Sequence, residues 1–415
     1  MKLTHFMLLL LLVSAFTGGC KKENVSGSST VFVKLFQSDT SYQTGGAFQL
    51  PDGNYIIYGF PPEDNRDSPI IIKVDPHGSI IWKKRLPGDF HYCTVKPDPS
   101  SPNTLIAVGT AENSTPNSTI QVCKIDLLRN ISLPKAYPVL HLKSGPLLPP
   151  KFEVDPLTGE LFVAGTIDDN GHVFPFVLDV SPDGTVATYH QFDSLIDSSL
   201  MTRGFCRDLD GFTITGSTYI GAIAASSDAV SFCLRLKTNF ETNWSKIFTN
   251  PAGSISSTGI SETNSTIILY GSQATVATQN SEVTDLPGIL YSHQIGLSGT
   301  PEKEDIYATS ENLAHAAAMS NTSDGFILAA TTNALSDLHL VTGTYIYLLK
   351  LRFDGEGSLV EQWHQQFNGF NAFTAVSVVQ ASDGGYLVSG YEHSSTFHYT
   401  MILIKTDVNG NIISL

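Results

Sequence analysis

The segments Ser382-Asp-Gly-Gly-Tyr-Leu-Val-Ser-Gly390 and Lys405-Thr-Asp-Val-Asn-Gly-Asn411 are the clearest copy of a pattern that recurs along the chain. The first segment is a polar turn followed by an apolar run that closes on a small residue. Successive closing residues are 50 to 60 positions apart, and they are Gly59, Gly109, Gly165, Gly216, Gly271, Ala330 and Gly390. A period of this size, built from short strands, is typical of a solenoid or a propeller.

A second strand and a polar hairpin turn follow each closing residue, and a third strand follows the turn in six copies. Asp, Asn and Gly suit the turn because they adopt positive φ at low cost. Only six copies of the third strand follow a turn, and they lie at residues 82–86, 133–137, 188–192, 244–248, 303–307 and 363–367. The seventh copy lies at the other end of the chain, where Phe32-Val-Lys-Leu-Phe36 matches Trp244-Ser-Lys-Ile-Phe248 position for position.

This displaced seventh copy indicates a closed ring, because a linear stack has no reason to divide one repeat between the termini. We predict an all-β fold, a seven-bladed β-propeller over residues 30–415. Each blade has four antiparallel strands, labelled A to D from the channel outward, and the N-terminal strand closes the ring by joining the C-terminal blade. In that blade, strands A, B and C are predicted at residues 372–381, 385–390 and 399–406.

A string of β-sandwich domains is the alternative architecture. No Pro/Gly/Ser-rich spacer divides residues 30–415, and the repeat is too short for a domain of about 100 residues. The sequence therefore favours the propeller over the sandwich string.

The first 20 residues carry the features of an export signal. Lys2 is positively charged, residues 6–16 form an apolar stretch too short to span a bilayer, and Thr17-Gly-Gly-Cys20 closes it with small residues. This ending resembles the lipobox of bacterial lipoproteins, which implies that Cys20 is diacylated. We expect a lipoprotein signal peptide at residues 1–19 and a lipidated, flexible tether at residues 20–29; a soluble secreted protein cleaved nearby is the alternative.

The charged residues that follow bear on where such a lipoprotein would lie. Lys21, Lys22 and Glu23 resemble the tracts that send some Gram-negative lipoproteins to the outer face of the outer membrane. The implied location is the bacterial outer membrane, with a lipid-anchored propeller that faces the periplasm or the cell surface.

The overall charge limits the choice of partners. The formal net charge is −15, so the surface repels phosphate backbones, and no basic stripe with interleaved aromatic residues is present. We expect a monomer that contacts the membrane through its lipid and has no nucleic-acid partner.

Four cysteines remain after Cys20. Cys93 and Cys123 fall on the predicted strands A and C of blade 2, and Cys206 and Cys233 fall on A and C of blade 4. An even number of cysteines in an exported protein suggests disulfides. Strands A and C, however, lie about two strand spacings apart, which is beyond the reach of a disulfide. We therefore predict buried free thiols and keep disulfides as the alternative.

Motifs for metal or cofactor chemistry are missing from the sequence. It contains no His-x-x-x-His, no Cys-x-x-Cys and no Gly-x-Ser-x-Gly. Asp407-Val-Asn-Gly-Asn411 looks like a calcium loop but lacks the downstream acidic ligands, and we predict a hairpin there. We expect no metal and no cofactor.

Blade motifs give a family resemblance. The blade signatures of sialidase, kelch and WD propellers are absent. The chain resembles exported bacterial propellers whose blades read Asp-Gly-Gly-Tyr-(apolar)-Gly followed by Lys-Thr-Asp-x-x-Gly-Asn, and residues 382–391 and 404–411 carry the likeness. This resemblance implies fold and location and leaves the function open.

Loop lengths indicate where a binding site would lie. The connections between strands B and C are long, at residues 217–228, 272–288, 331–343 and 391–398. They share one face with the D-to-A connections, and irregular loops on a rigid scaffold often carry binding residues. The densest aromatic and imidazole cluster on that face comprises Tyr391, His393, Phe397, His398 and Tyr399, with Tyr219 and His339 on other loops. The alternative is that these side chains merely cap the blade.

Two functional classes follow. We favour a non-enzymatic lipoprotein whose propeller is a binding scaffold for a glycan or a protein partner. The alternative is a glycan-active hydrolase or lyase that uses carboxylates at the channel, for which Glu153, Asp155 and Asp208 are the candidates. An enzyme of that class needs at least two carboxyl groups that converge in one pocket.

Overall fold

The computed structural model describes most of the predicted propeller. The described residues are 30–37, 41–62, 67–111, 117–128, 131–143, 149–169, 172–192, 200–218, 230–249, 254–263, 266–274, 289–307, 314–335, 341–367, 372–395 and 398–412. The predicted signal peptide and tether, with Cys20, lie outside these ranges. A membrane-crossing helix is not found in the described part of the chain, where no helix has the necessary length and apolar character.

Short β-strands with apolar and β-branched residues make up the regular structure of the described residues. The strands are Phe32–Phe36 (β1), Gln43–Gln49 (β2), Tyr55–Phe60 (β3), Ile70–Val74 (β4), Ile80–Arg85 (β5), Cys93–Asp98 (β6), Ser101–Ala111 (β7), Asn117–Asp126 (β8), Lys135–Leu140 (β9), Leu142–Lys143 (β10), Lys151–Val154 (β11), Leu161–Asp169 (β12), His172–Val180 (β13), Ala187–Gln191 (β14), Leu200–Arg207 (β15), Gly211–Thr218 (β16), Ser231–Lys237 (β17), Thr242–Phe248 (β18), Ser254–Glu262 (β19), Thr266–Ala274 (β20), Ile289–Gly296 (β21), Pro301–Tyr307 (β22), Ala314–Thr322 (β23), Gly325–Leu335 (β24), Val341–Phe353 (β25), Leu359–Phe367 (β26), Ala372–Gln380 (β27), Tyr386–Ser395 (β28) and His398–Lys405 (β29).

These strands form seven antiparallel sheets in chain order. Blades 1 to 7 consist of β2–β5, β6–β9, β10–β14, β15–β18, β19–β22, β23–β26, and β27–β29 with β1. In blade 3 two short strands, β10 and β11, share the inner position, since both pair with β12. The predicted seven-bladed propeller is confirmed.

The ring closes as predicted. β1 pairs antiparallel with β29, from Phe32 opposite Lys405 to Phe36 opposite Met401. Phe36 is buried with Met401 and Leu403 of blade 7 and with Ile57 of blade 1. The N-terminal strand therefore closes the edge of the last blade and also contributes to the packing between the last and first blades.

The core is divided among the blade interfaces. One hydrophobic cluster lies at each of the seven interfaces between neighbouring blades. Strands β3 and β4 are buried along their whole length, because both faces of a blade pack against other blades. A chain of this size thus avoids the need for one large core.

The periodic small residue of strand B has a structural cause. In five blades strand A carries a β-bulge, and the residue just before the bulge lies opposite the small residue. A Cβ atom on Gly216 would lie 1.7 Å from the carbonyl oxygen of Met201, and one on Gly390 would lie 2.2 Å from that of Thr374. At these two positions the backbone of strand A approaches so closely that any side chain would collide with it.

The next residue of strand B joins adjacent blades. The hydroxyl groups of Thr166, Ser272 and Thr331 accept hydrogen bonds of 2.9 Å from backbone N–H groups of the following blade. The donors are the residues just before the strand A bulges of blades 4, 6 and 7, namely Thr202, Ala316 and Ala375. The small residue of strand B and the residue after it therefore accommodate the bulge and form the contact between blades.

Cations of strand C fix the A-to-B turns, and all of them except the exposed Lys124 are buried. In five blades a Lys or Arg of strand C pairs with an Asp of the A-to-B turn, as Lys73–Asp52, Lys124–Asp98, Arg235–Asp208, Lys350–Asp324 and Lys405–Asp383. The Lys405 ammonium is fully buried and lies 2.9 and 2.8 Å from the two oxygens of Asp383. Removing one partner of such a pair leaves an uncompensated charge.

The four cysteines of the propeller are free. Cys93, Cys123 and Cys233 are buried, as predicted, whereas Cys206 is only half-buried. Burial raises the pKa of the Cys123 thiol to about 12, so this group is uncharged at neutral pH. The predicted hairpin at Asp407 is also confirmed, since Asp407 Oδ1 accepts hydrogen bonds from the N–H groups of Asn409 and Asn411 and its backbone C=O accepts one from Gly410.

We expect deletion of residues 30–37 to destabilise the propeller strongly. The deletion removes β1 and exposes the edge of β29, and loss of the buried Phe36 ring alone should cost about 3–5 kcal/mol. Denaturant unfolding and size-exclusion chromatography would measure the loss of stability and any association through the open edge. Deletion of residues 24–29 is the matched control, and it should change neither the stability nor the association state. Equal stability of the two deletion variants would contradict closure of the ring by β1.

Candidate functional site

The two faces of the disc differ in their connections. The loop face carries the D-to-A and B-to-C connections, and the turn face carries the A-to-B and C-to-D turns. A cavity of about 580 Å³ opens where the inner strands begin, on the loop face. A second cavity, of about 300 Å³, lies between blades 2 and 3 on the turn face. The larger of these two cavities lies on the loop face, where the sequence predicts a binding site.

The β-bulges of strand A supply much of the wall of the larger cavity. The bulged residues of the five blades all line it, and they are Gly45, Arg203, Thr258, Ala317 and Val376. An extra residue in a strand aims a side chain in a direction that the regular pleat does not allow. The bulges therefore decide which side chains face the channel.

One side of the cavity is cationic. Lys151 at the start of β11 and Arg203 at the bulge of β15 come from the adjacent blades 3 and 4. His315 also lines the cavity, but it belongs to blade 6, which adjoins blade 7. Arg203 is buried, and Lys151 is half-buried. Burial and then the charges of Lys96 and Arg203 lower the pKa of the Lys151 ammonium to about 8, so this group stays protonated at pH 7.

The opposite side is aromatic. In a ring of seven, blades 7 and 1 lie across the channel from blades 3 and 4. The residue after the periodic glycine is Tyr391 in blade 7 and Phe60 in blade 1, where five other blades have Thr or Ser. The Phe60 ring is buried and packs edge-on against Tyr92 at 5.4 Å, whereas Tyr391 is half-buried.

The predicted aromatic cluster is brought together in part. The Tyr399 ring packs between two of its members, with Tyr391 edge-on at 5.4 Å and His393 stacked at 4.8 Å. His398 is exposed. Phe397, Tyr219 and His339 lie outside the described residues, as do most residues of the B-to-C connections at 217–228 and 272–288.

The long connections predicted at 331–343 and 391–398 are wrong, because strands β24 and β28 continue to Leu335 and Ser395 and strands β25 and β29 begin at Val341 and His398. Tyr391, His393 and Tyr399 therefore lie on strands B and C of blade 7. Tyr391 is the cluster member that lines the channel cavity.

Tyr399 also has a structural part. Its N–H donates to the hydroxyl of Ser41 at 2.6 Å, and its C=O accepts from the N–H of Tyr42 at 3.1 Å. These bonds join blade 7 to the segment that enters blade 1. Within the cluster, Tyr399 caps the seam between the last and first blades, while Tyr391 faces the cavity.

The three candidate carboxylates are held in ion pairs on the turn side. Glu153 pairs with Lys96 at 2.8 Å, Asp155 with Arg207 at 2.7 Å and Asp208 with Arg235 at 2.6 Å. The first two pairs link neighbouring blades. Among the described residues that line the channel cavity there is no Asp or Glu.

A fourth carboxylate, which the sequence did not single out, has an unusual environment. Burial and the interaction with Asp208 raise the pKa of Glu262 to about 7. Its Oε2 accepts a hydrogen bond from the Cys206 thiol at 2.8 Å, and Arg235 lies 3.8 Å away. Two neighbouring carboxyl groups, one with a raised pKa and one with a lowered pKa, are typical of acid/base catalysis. Here, however, both oxygens of Asp208 bind Arg235 of the same blade. Glu262 of blade 5 joins Cys206 and Arg235 of blade 4, which makes the cluster a contact between blades.

Sequence reasoning missed the cationic side of the channel. Lys151 and Arg203 lie on strands A, and the direction of Arg203 depends on the bulge between Thr202 and Gly204. The signal that could have found Arg203 is Gly216 on strand B, which lies opposite the residue before this bulge. No group of three His, Cys, Asp or Glu side chains able to hold a metal occurs within the described ranges.

Several solved structures are similar to this chain. Extracellular domains 1–2 of Drosophila semaphorin 1a give a TM-score of 0.51 at 8% identity, over 92% of this chain and 88% of that one. The WD40 domain of Neurospora crassa Pan2 gives 0.45 at 11%, over 90% and 91%. The β-propeller domain of the trilobed protease of Pyrococcus furiosus gives 0.41 at 8%, over 76% and 84%. At 8% identity the semaphorin likeness shows a shared fold alone.

Sequence comparisons add nothing to the fold. No protein-family model matches the chain, and no curated protein sequence matches it.

We expect Glu262→Gln to become progressively more stable than the wild type as the pH rises. Between pH of about 4.5 and about 7 the folded protein keeps a proton on Glu262 that the unfolded chain has lost, so the free energy of unfolding falls across this window. Gln carries no such proton. Thermal unfolding of both proteins at several pH values should show a Tm difference that grows in favour of Gln and levels off above pH of about 7.

The control for this prediction is Glu241→Gln. The hydrogen bond from Lys237 lowers the pKa of the exposed Glu241, so its small contribution has the opposite sign. A Glu262→Gln protein destabilised equally at every pH would show that Glu262 is ionised in the fold and pairs with Arg235.

Proposed function

We propose that this chain is a lipid-anchored, exported bacterial protein whose propeller is a non-enzymatic binding scaffold for a glycan or a protein partner. The observation that carries the proposal is the channel cavity on the loop face, with its cationic and aromatic sides. Its volume of about 580 Å³ falls within the range of roughly 300–1,000 Å³ that is usual for ligand sites.

The distribution of carboxyl groups favours binding over hydrolysis. The described residues that line the cavity include no carboxyl group, and Glu153, Asp155 and Asp208 are engaged by Lys or Arg on the turn side. Glycosidases place two carboxyl groups roughly 5 Å or more apart, on either side of the scissile bond. Asp208 and Glu262 instead interact with each other and share Arg235.

The anchoring part of the proposal rests on the amino-terminal sequence. A cysteine after a short apolar stretch and two glycines is what lipid attachment requires, and the acyl chains would hold the propeller at the outer membrane. Residues 21–29 are polar or small, apart from Val25, which suits a tether between membrane and propeller.

Cys20→Ala should abolish lipid attachment and leave an unprocessed or mislocalised precursor, because the acyl chains have no thiol to join. Metabolic labelling with a palmitate analogue, followed by membrane fractionation, would measure this. Cys93→Ala is the matched control, since that thiol is buried in blade 2, and it should label normally. Normal labelling of the Cys20→Ala protein would refute the anchor.

The double variant Tyr391→Ala/His393→Ala should lose binding while it keeps its fold. The variant removes the aromatic ring that blade 7 contributes to the cavity wall, Tyr391, together with His393, which stacks on Tyr399, and each lost ring contact should cost no more than about 1.5 kcal/mol. Binding to an immobilised glycan array and to purified outer-membrane proteins, with Tm measured in parallel, would test this. Tyr189→Ala, on the outer strand of blade 3, is the control. Retained binding with a large loss of stability would mean that these residues only cap the blade.

A further inference from the structure

We infer that the channel mouth binds a sugar that carries a carboxylate group, with Lys151 and Arg203 holding the acid group and Tyr391 packing against the apolar face of the sugar ring. The inference rests on the proposed function, because it names the ligand class of the same cavity.

The charge distribution is the first argument. The chain has a formal net charge of −15, yet Lys151 and Arg203 converge on this cavity, and the described lining has no Asp or Glu. A cleft lined by one sign of charge concentrates ligands of the opposite sign. An acidic surface around a cationic cavity favours a small anion over a large acidic protein, since the latter is repelled by the rest of the disc.

Lys151 supplies the second argument. Its ammonium has no hydrogen-bond or ion-pair partner among the described residues, although it is half-buried. The ammonium of the nearby Lys96 already donates hydrogen bonds of 2.8 Å to Glu153 and to the C=O of Phe152. Repulsion from Lys96 and Arg203 contributes to the lowered pKa of Lys151. A bound carboxylate would provide the missing partner and relieve this repulsion.

The opposite wall indicates a sugar rather than a bare acid. Tyr391 and Phe60 present aromatic surface across the channel from the cations. The cavity is also lined by residues with hydroxyl groups, which include Thr258, Thr344 and Thr374. A sugar acid combines the three complementary features, namely a carboxylate, an apolar ring face and several hydroxyl groups.

The experiment compares acidic and neutral sugars of the same size. Isothermal titration at low ionic strength would measure the binding of glucuronate, galacturonate, glucose, galactose and acetate to the intact propeller. We expect both uronates to bind at least about tenfold more tightly than the neutral sugars and than acetate, because only they use both sides of the cavity.

The variants then test Lys151 itself. Lys151→Met should lower the affinity for glucuronate by about tenfold or more and leave glucose unaffected, while Lys151→Arg should keep most of the affinity. Lys83→Met, an exposed lysine on the outer strand of blade 1, should change nothing. Unchanged Tm values would show that each variant is folded.

Three outcomes would overturn the inference. If uronates bind no better than neutral sugars, the acid group is not recognised. If acetate binds as tightly as glucuronate, the sugar ring is not recognised. If Lys151→Met binds glucuronate as tightly as the wild type, Lys151 does not hold the carboxylate. None of these results decides the proposed function. That function fails only if the Tyr391→Ala/His393→Ala variant and the wild type bind the same glycans and proteins alike.

Discussion

The close approach of strand A to the small residue of strand B is the contact on which the rest of the structure depends. At Gly216 and Gly390 a Cβ atom would collide with a carbonyl oxygen of strand A. The approach accompanies the bulge that follows, and the bulge aims one extra side chain into the channel. The next residue, such as Thr331, binds the following blade. One local constraint therefore shapes the blade, its neighbour contact and the channel wall.

Ring closure imposes the second constraint. Neighbouring blades pack at seven separate interfaces, and the ring is complete only if the last blade packs against the first. The pairing of β1 with β29 adds backbone hydrogen bonds to this packing. The seam also carries the Tyr399 bonds to Ser41 and Tyr42. The aromatic residues of the predicted site are thus divided between closing the ring and lining its cavity.

Much of the fold was predictable because its signals are local. The small residue of strand B, the Asp-rich hairpin at Asp407 and the displaced strand at Phe32–Phe36 can each be recognised in a few residues. The channel side chains Lys151 and Arg203 could not be predicted in the same way, because one shifted residue reverses which side of a strand faces the channel. The Lys-Thr-Asp motif at Lys405 marked a turn correctly, but the buried pair with Asp383 depends on two separate segments.

Departures from the repeat are the best guide to function in a scaffold of equivalent blades. Where five blades place Thr or Ser after the small residue, blades 1 and 7 place Phe60 and Tyr391. Where other bulges place Gly, Ala, Val or Thr, blade 4 places Arg203. None of these exceptions is required by the blade, since the other blades fold without them. Because all of them line one cavity, blades of similar architecture give the channel walls of different chemistry, and that asymmetry is what a ligand site needs.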